Sequence, residues 1–452
     1  MEQVVAWLYD PGATFKVLAV FALLVAAVSR KVSLGAAAFC GAVALALWSG
    51  AGILQGIAVP LEAALSADAL LLSFTLILIL GLSDLMKHSG AMEKAARGYA
   101  AFAGSPAWAL ATLPGILGTL PMPGGAGISA PMVAALDGEG KLGAADKAAV
   151  NYYFRHTIEL VWPLYPAFIL TASLSGLSVS ALSGINLYVP LVLIPLGYFF
   201  LLRKSFPKHA ESAARRPGHA LGRTQGRREF FIALSPIILA IFIAMILSPL
   251  LRGLAGFGGR SEPSALGQAV IRYMPMVLGI LAGTVLLLAM SKGSAVPRGI
   301  ARFFINRGMI KTISMILGIK AFSGTLDTLG LAQDVARELT NLGLGTGMLT
   351  VALPFLAGLI TGVGFGYVGI AFPIVLALLP RDNALGYAAW VALANASGFM
   401  GMMISPLHIC AAVSADFFSV PLWSTLKKVA LPLACFFLVA LGYVSAVLFL
   451  AR

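Results

Sequence analysis

The sequence predicts an all-α polytopic membrane protein, with about ten transmembrane helices and two re-entrant hairpins arranged in two inverted repeats. The chain of 452 residues is 59% hydrophobic and only 11% charged, whereas ordinary soluble domains contain roughly 25% charged residues. Two apolar segments that are interrupted by glycine and proline occur about 240 residues apart. Such paired, interrupted segments in the two halves of a membrane protein indicate a transporter binding site.

Ten apolar stretches approach or exceed the roughly 20 residues that cross a bilayer as one helix. The first follows two acidic residues, Glu2 and Asp10, instead of a basic segment. It is therefore expected to be retained as a helix and not removed as a signal peptide. We expect the spans near residues 13–29, 33–57, 66–86, 147–172, 185–202, 230–251, 274–290, 308–326, 385–414 and 424–449.

The basic segment 203–229 has no apolar periodicity and is expected to be a cytoplasmic linker between two halves. Because five spans end on the side opposite to their start, the second half is expected to be inverted relative to the first. Segments 76–96 and 313–336 also resemble each other, each as a span followed by a short amphipathic helix. The two repeats are residues 1–202, with a hairpin near 106–136 and a broken helix at 147–172, and residues 230–452, with a hairpin near 347–380 and a broken helix at 385–414.

The basic residues predict the orientation of the spans. When the loops are assigned alternately, most of the 31 Lys and Arg residues fall on one face, which the positive-inside rule makes cytoplasmic. Both termini are then expected outside the cytoplasmic (inner) membrane. The net charge of +13 is explained by this topology and by contact with anionic lipids. Nucleic acid is not expected as a partner, because the basic residues are spread over several loops without interleaved aromatic side chains.

The two interrupted segments read PMPGGAGISAP, residues 121–131, and TGVGFGYVGIAFP, residues 361–373. In hydrocarbon, non-helical backbone is tolerated only inside protein or beside water. Each returning arm is expected to direct free N–H groups and a positive helix end toward the membrane centre, which favours an anion. Pro131 and Pro373 are expected in the first turns of these arms. The glycines expected to let a ligand approach the backbone are Gly124, Gly125, Gly364 and Gly366.

The helix after each hairpin is also expected to be interrupted. Residues 151–166 contain Pro163 and Pro166, and residues 395–409 contain Pro406. A proline within a membrane helix frees carbonyl groups that a sodium ion, water or a substrate hydroxyl can occupy. The two interruptions are therefore predicted to lie beside the binding site.

Three ionisable residues lie close together in the first broken helix, namely Arg155, His156 and Glu159. Charges inside membrane helices are rare and usually functional. Arg155 and Glu159 are four residues apart and are expected to pair on one helical face. We expect Arg155 or His156 to meet a substrate carboxylate, and Glu159 to hold Arg155 or carry a coupling proton. Lys320 has no acidic neighbour in its span closer than Asp327, so it is expected to neutralise substrate charge or to extend toward the membrane surface.

At these residues the chain resembles the ion-transporter superfamily of secondary carriers, which includes gluconate permeases, dicarboxylate–sodium symporters and the large membrane subunits of TRAP transporters. PMPGGAGISAP followed by ISPLH is most similar to an uncharacterised prokaryotic branch of it. The resemblance implies an elevator mechanism, in which hairpins and broken helices slide as a transport domain against a scaffold, and a homodimer. The paired Ser-Asn-Thr signature of the dicarboxylate–sodium symporters is not found at either tip. The remaining polar candidates for substrate binding are Ser129, Asn151, Thr361, Asn395, Ser397 and His408.

We therefore expect a secondary active transporter, and not an enzyme, that moves a small organic anion by symport with protons or sodium. No cofactor is expected beyond the coupling ion. A sodium ion, if sodium is the coupling ion, is expected near Gly125, Asn151, Gly364 and Asn395.

Three alternatives remain open at this stage. The chain could be a TRAP-like subunit that needs a binding protein, or an anion channel. It could also be an intramembrane metalloenzyme with His156, Glu159 and His408 as ligands, because His156 and Glu159 have a His-x-x-Glu spacing. The three cysteines lack metal-ligand spacing and are interpreted as small buried hydrophobic residues: Cys40, Cys410 and Cys435.

Overall fold

The computed structural model describes residues 12–103, 105–121, 125–138, 140–206, 222–257, 264–291, 307–341 and 345–451. Within these ranges the chain forms twenty α-helices, one π-helical turn and no β-strand, so the all-α prediction is confirmed. Six of the described helices are long and apolar enough to cross a membrane, or seven if the bent pair Pro166–Ser175 and Val179–Ile185 is one span. Most of the predicted linker, residues 207–221, lies outside the described residues.

The helices are numbered in chain order. The first half contains α1 (Ala13–Ser29), α2 (Leu34–Trp48), α3 (Ile53–Ala64), α4 (Ala67–His88), α5 (Ala91–Phe102), α6 (Pro106–Gly118), α7 (Ala126–Leu136), α8 (Ala144–Arg155), α9 (Pro166–Ser175), α10 (Val179–Ile185) and α11 (Tyr188–Gly197), which continues as a π-helical turn over Tyr198–Leu202. The second half contains α12 (Arg223–Phe257), α13 (Ala265–Met290), α14 (Arg307–Thr328), α15 (Leu331–Asn341), α16 (Thr346–Thr361), α17 (Gly364–Leu378), α18 (Ala384–Ile404), α19 (Ile409–Phe417) and α20 (Leu422–Leu450).

The outer surface of the bundle is apolar. The long helices α12 and α20 expose large side chains, among them Phe242 at 61%, Leu438 at 68% and Phe449 at 76%. Exposure of this many large apolar side chains is unfavourable in water and favourable in lipid. The chain is therefore an integral membrane protein.

The predicted single span at 33–57 is wrong, because the chain forms two shorter helices there. Gly50, with φ 89°, lies between α2 and α3. Its N–H donates to the Leu47 carbonyl at 3.1 Å, and the N–H of Ala51 donates to the Ala46 carbonyl at 3.1 Å. Glycine in the left-handed conformation ends the helix in this way. The break was not predicted because the residues on both sides of it are apolar, so the composition is that of one continuous span.

The two predicted hairpins are each a pair of packed helices separated by a break. α6 packs against α7, and α16 packs against α17. The second break is very short, since α16 ends at Thr361 and α17 begins at Gly364. Pro131 and Pro373 lie inside α7 and α17, so the prediction that they occupy the first turns is wrong. Both helices begin directly at the glycine-rich tips, several residues before these prolines.

The helices of the two halves contact each other in matched pairs. α2 packs against α14 and α4 against α13, while α5 packs against α12 and α1 against α15. In each half a long helix is followed by a left-handed glycine and a short helix, with Gly90 at φ 70° and Gly330 at φ 67°. The predicted similarity between segments 76–96 and 313–336 is visible here. Each contact between the halves therefore has a counterpart in which the roles of the two halves are exchanged, which is compatible with two symmetry-related repeats. The inversion of these repeats across a bilayer stays a prediction.

The hairpins and the helices that follow them form the centre of the molecule. α8 packs against α6, α7 and α19, α18 packs against α16 and α17, and α9 packs against α17. Large aromatic residues are fully buried at these contacts, including Tyr152, Tyr367 and Phe399. The close packing of α16 on α18 requires glycine, because a Cβ on Gly358 would lie 2.2 Å from the Gly398 carbonyl oxygen. This packing brings the ends of the broken helices together.

Candidate functional site

The first broken helix ends earlier than the prolines that were expected to break it. α8 stops at Arg155, residues 156–165 form turns, and Pro166 begins α9 in a position where its missing N–H is harmless. The end of α8 packs tightly on α6, since a Cβ on Gly118 would lie 2.4 Å from the Arg155 carbonyl oxygen. The Tyr165 hydroxyl donates to the Gly118 carbonyl at 2.6 Å. The chain therefore leaves helical geometry at the three ionisable residues themselves.

The second broken helix is interrupted at the predicted proline. Pro406 lies in the break between α18 and α19. The Ser405 hydroxyl donates to the Leu359 carbonyl at 2.6 Å, which ties this break to α16. Gly362, with φ 64°, ends α16, and a Cβ there would lie 2.8 Å from the backbone nitrogen of His408. The tip of the second hairpin and the second break thus form one continuous wall.

The two breaks meet through their histidines. Nε2 of His156 lies 3.2 Å from Nε2 of His408, and the two residues are 5% and 6% exposed. Nδ1 of His156 lies 2.8 Å from the Tyr152 carbonyl oxygen. Because a carbonyl can only accept, Nδ1 carries the hydrogen, and in the neutral ring Nε2 presents a lone pair to His408. The Tyr152 ring lies 5.2 Å from each imidazole, and its hydroxyl donates to the Met403 carbonyl at 2.8 Å.

A cavity of about 430 Å³ lies between these breaks, α4 and the start of α17. Gly364 is the first residue of α17, so the N-terminus of the second returning arm faces this cavity. A Cβ on Gly364 would lie 3.2 Å from Oε1 of Glu159 and 2.8 Å from Cβ of Ala167. Five of the predicted site residues line the cavity: Arg155, His156, Glu159, Gly364 and His408. Polar lining that was not predicted comes from Ser83, Asp84, Lys87, Tyr165, Thr312 and Cys410.

Several polar atoms of the cavity are buried without a partner. Arg155 is 4% exposed and Glu159 is 6% exposed. Nη1 of Arg155, Oε2 of Glu159 and Nδ1 of His408 have no hydrogen-bond partner among the described residues. An unsatisfied buried polar atom costs about 1–3 kcal/mol, and more if it is charged. Such a cluster beside a cavity indicates a site for a ligand that supplies the missing partners.

The predicted pairing of Arg155 with Glu159 is wrong. The two side chains form no ion pair in the described part of the chain, and each has an unpaired atom. The prediction assumed a helix that continues past Arg155, whereas α8 ends there and the four-residue spacing no longer places the side chains together. For the same reason His156 and Glu159 do not share a helical face.

The remaining predicted residues that the structure describes are not among those that line the cavity. Asn151 on α8 donates to the Ala126 carbonyl at 3.0 Å and to the Ser414 hydroxyl of α19 at 2.8 Å. In a matched arrangement, Asn395 on α18 accepts from the Thr171 hydroxyl of α9 at 3.3 Å. Gly125 caps the start of α7, and Gly124 lies outside the described residues. Buried positions near the two tips are occupied by Ser129, Thr361, Gly366 and Ser397.

Cys410 is a site residue that the sequence analysis missed. Its Sγ and one ring nitrogen each of His156 and His408 all lie within 4.8 Å of one another. These three residues could hold a metal ion, whereas the set predicted for the metalloenzyme alternative contained Glu159 instead. Spacing could have found it, since Cys410 follows His408 by two residues. The interpretation of the cysteines as buried is wrong, because Cys40 is exposed and Cys410 and Cys435 are half-buried.

A second charged cluster, the Asp68 cluster, joins α4, α9, α13 and α14. Oδ1 of Asp68 accepts from Nη1 of Arg272 at 2.8 Å and from the Tyr273 hydroxyl at 3.1 Å. Oδ2 accepts from the Ser173 hydroxyl at 3.1 Å and pairs with the Lys320 ammonium. Lys320 was expected to neutralise substrate charge or to extend toward the membrane surface, but its ammonium pairs with Asp68 from a distant part of the chain. Lys320 is neutralised within the protein and does not line the cavity.

Comparisons with known proteins agree with a transporter-like fold. Residues 13–255 and 265–447 match the sequence model of the family DUF401, which is described as a protein of unknown function. No curated protein matches the sequence. The fold is similar to that of the YdaH transporter of Alcanivorax borkumensis, with 15% identity, a TM-score of 0.53, and coverage of 87% of this chain and 88% of that one. It is also similar to MtrF of Neisseria gonorrhoeae, from a class of antimetabolite efflux pumps, with 14% identity, a TM-score of 0.51, and coverage of 89% and 85%.

Proposed function

We propose that this chain, which belongs to the DUF401 family of proteins of unknown function, is a secondary active transporter of a small organic anion such as a carboxylate. It acts in the cytoplasmic membrane and uses a proton or sodium gradient. The observation that carries the proposal is the unpaired Nη1 of Arg155, which is buried beside a cavity. An anion in the cavity would give Nη1 of Arg155 the hydrogen-bond acceptor that the described residues do not supply.

The chemistry of the cavity favours a carboxylate over a neutral ligand. Guanidinium groups bind carboxylates through short, charge-assisted hydrogen bonds. The N-terminus of α17 at Gly364 adds backbone N–H groups and a positive dipole end to the same wall. A volume of about 430 Å³ lies near the lower end of the usual range for ligand pockets, so the substrate is small.

The fold supports a carrier mechanism. YdaH is described as a transporter and MtrF as a representative of a class of antimetabolite efflux pumps, so transport of a small molecule is compatible with this fold. Paired hairpins and broken helices are a common way to build a midplane site in secondary transporters. We assign α6–α9 and α16–α19 to a mobile transport domain, and the remaining helices to a scaffold against which it slides.

Two features of the site suit the two possible coupling ions. Glu159 lines the cavity with Oε2 unpaired, and a carboxylate in this position can carry a proton with the substrate. Asn151 bonds to α19 and Asn395 bonds to α9, which are the helices that follow the two breaks, and Oδ1 of Asn151 is unpaired, which suits sodium. Imposing a sodium gradient and a pH gradient separately on proteoliposomes distinguishes the two ions, because only the coupled gradient drives accumulation.

The test uses gluconate, succinate and sulfate as probes with the purified full-length protein. A probe that binds the folded state raises the melting temperature, and the probe with the largest effect is then used for uptake into proteoliposomes. We expect Arg155→Met to lose both the thermal shift and the uptake, because the methionine cannot donate to an anion. Arg337→Met, which changes an exposed arginine of α15, is the matched control and keeps both. Unchanged uptake by Arg155→Met would contradict the proposal.

A further inference from the structure

The cavity contains a second kind of binding group beside Arg155. His156, His408 and Cys410 come from the two breaks, and their ligating atoms lie within 4.8 Å of one another. We propose that these three residues form a binding site for a soft divalent metal ion of the Zn²⁺ type. The site shares the cavity with Arg155 but uses other ligating atoms, and it does not depend on the proposed transport function.

The orientation of the two imidazoles fits metal binding. Nε2 of His156 and Nε2 of His408 face each other at 3.2 Å. Two nitrogens bound to one tetrahedral zinc ion at about 2.0–2.1 Å are separated by roughly 3.4 Å, so little movement of the rings is needed. Nδ1 of His156 donates to the Tyr152 carbonyl at 2.8 Å. Histidine ligands of metals usually make such a bond, which fixes the ring and leaves the other nitrogen free for the metal.

The donor set indicates which metals would bind. Two imidazole nitrogens and one thiolate suit zinc and cobalt, whereas magnesium, calcium and sodium prefer oxygen ligands. Three protein ligands leave the fourth tetrahedral position open. All three ligand residues line the cavity, so the open position is available to water or to a bound anion.

The surrounding charges are compatible with a divalent cation. Arg155 lines the same cavity, and its single positive charge repels a bound cation. Cys410 supplies one negative charge if it binds the metal as a thiolate, and Glu159, which lines the same cavity, supplies a second if it is ionised. With both groups ionised the charge of a divalent metal is balanced, the opposite charges of Asp84 and Lys87 in the lining offset each other, and the positive charge of Arg155 remains to attract an anion.

Cobalt tests the site directly, because a thiolate bound to Co²⁺ gives a charge-transfer absorption band in the near ultraviolet. The full-length protein is purified in detergent, treated with a chelator and titrated with Co²⁺. We expect one Co²⁺ per chain, displacement by Zn²⁺, and loss of the charge-transfer band in Cys410→Ser. Cys435→Ser changes a half-buried cysteine of α20 that is not part of the group, and it keeps the band.

His408→Gln should weaken Co²⁺ binding at least tenfold, since it removes one of the three ligands, and the melting temperature of each variant shows that it is folded. Absence of the band in the wild-type protein, or the same band in Cys410→Ser, would overturn the site. Arg155→Met should retain the band. If the cobalt band is present but no anion probe raises the melting temperature or is taken up, the metal site is supported and only the transport proposal is refuted. If an anion is taken up but cobalt does not bind, the transport proposal is supported and the metal site is refuted.

Discussion

The Asp68 cluster and the Arg155 cavity both place charged side chains among apolar helices, yet their charges are balanced in different ways. In the cluster, both oxygens of Asp68 have partners, from Arg272, Tyr273, Ser173 and Lys320. In the cavity, Arg155 and Glu159 line one space with unpaired atoms. The first arrangement can be explained by stability alone, whereas the second is the one for which we propose a partner from outside the chain.

A charged residue within a membrane helix can therefore have one of two roles, pairing within the protein or contact with a ligand. Intramembrane charges are costly and usually functional, but Lys320 shows that a charge can be matched within the protein. The useful criterion is the presence of unpaired atoms beside a cavity. By that criterion Arg155 and Glu159 are candidates for ligand contact, and Lys320 and Arg272 are candidates for holding α4, α13 and α14 together.

The largest expected effect on stability comes from Asp68→Asn. The substitution removes the negative charge that Lys320 and Arg272 share and leaves two cations close together. Breaking a buried ion pair costs about 3–5 kcal/mol, and we expect about 3 kcal/mol because the Asp68 side chain is 25% exposed. The melting temperature in detergent measures the loss. The control is Asp334→Asn, which breaks the ion pair with the exposed Arg337 and should cost at most about 1 kcal/mol.

A second substitution strengthens this test. Adding Lys320→Met to Asp68→Asn removes one of the two uncompensated cations, so part of the lost stability should return. If Asp68→Asn melts at the wild-type temperature, the cluster does not hold the helices together, and the contrast with the cavity is refuted.

The sequence predicts the parts of this molecule that depend on local chemistry. Glycine and proline residues predict the positions of the two hairpins and of the break at Pro406, because these residues interrupt a helix in any surroundings. The rarity of charges in apolar runs singles out Arg155, His156 and Glu159, and all three line the cavity. The pairing of Lys320 with Asp68 is not predictable in this way, because it depends on which distant helices come together. The half-buried position of Cys410 is missed for a related reason, since lipid-facing, buried and cavity-lining positions have the same apolar neighbours.

An intermediate effect is expected from Gly362→Ala, which tests whether backbone contacts hold the cavity wall. Gly362 adopts φ 64°, and left-handed geometry costs an alanine about 1–2 kcal/mol. Its new Cβ would also lie 2.7 Å from the Leu407 carbonyl carbon and 2.8 Å from the His408 nitrogen. We expect a total loss of about 2–3 kcal/mol, because overpacking adds to the conformational cost, together with weaker binding of the anion probe.

The matched control for this substitution is Gly330→Ala. Gly330 has a similar φ of 67°, but a Cβ there meets no atom within 4 Å. It should therefore show the conformational cost alone and leave the thermal shift by the anion probe unchanged. Equal losses in the two variants would mean that the contact between Gly362 and the second break adds nothing to stability.

The smallest expected effect on stability is that of Arg155→Met without a ligand. Burying a charge without a pairing partner is costly, and Nη1 of Arg155 has no hydrogen-bond partner among the described residues, so an apolar side chain of similar volume should cost little stability there. We expect the variant to be within about 0.5 kcal/mol of the wild type, or more stable, when both are melted in anion-free buffer. Lys320→Met, which breaks the pair with Asp68, should be clearly less stable. If Arg155→Met loses as much stability as Asp68→Asn, Arg155 must make stabilising contacts within the chain. Its position beside the cavity would then be explained without an anion.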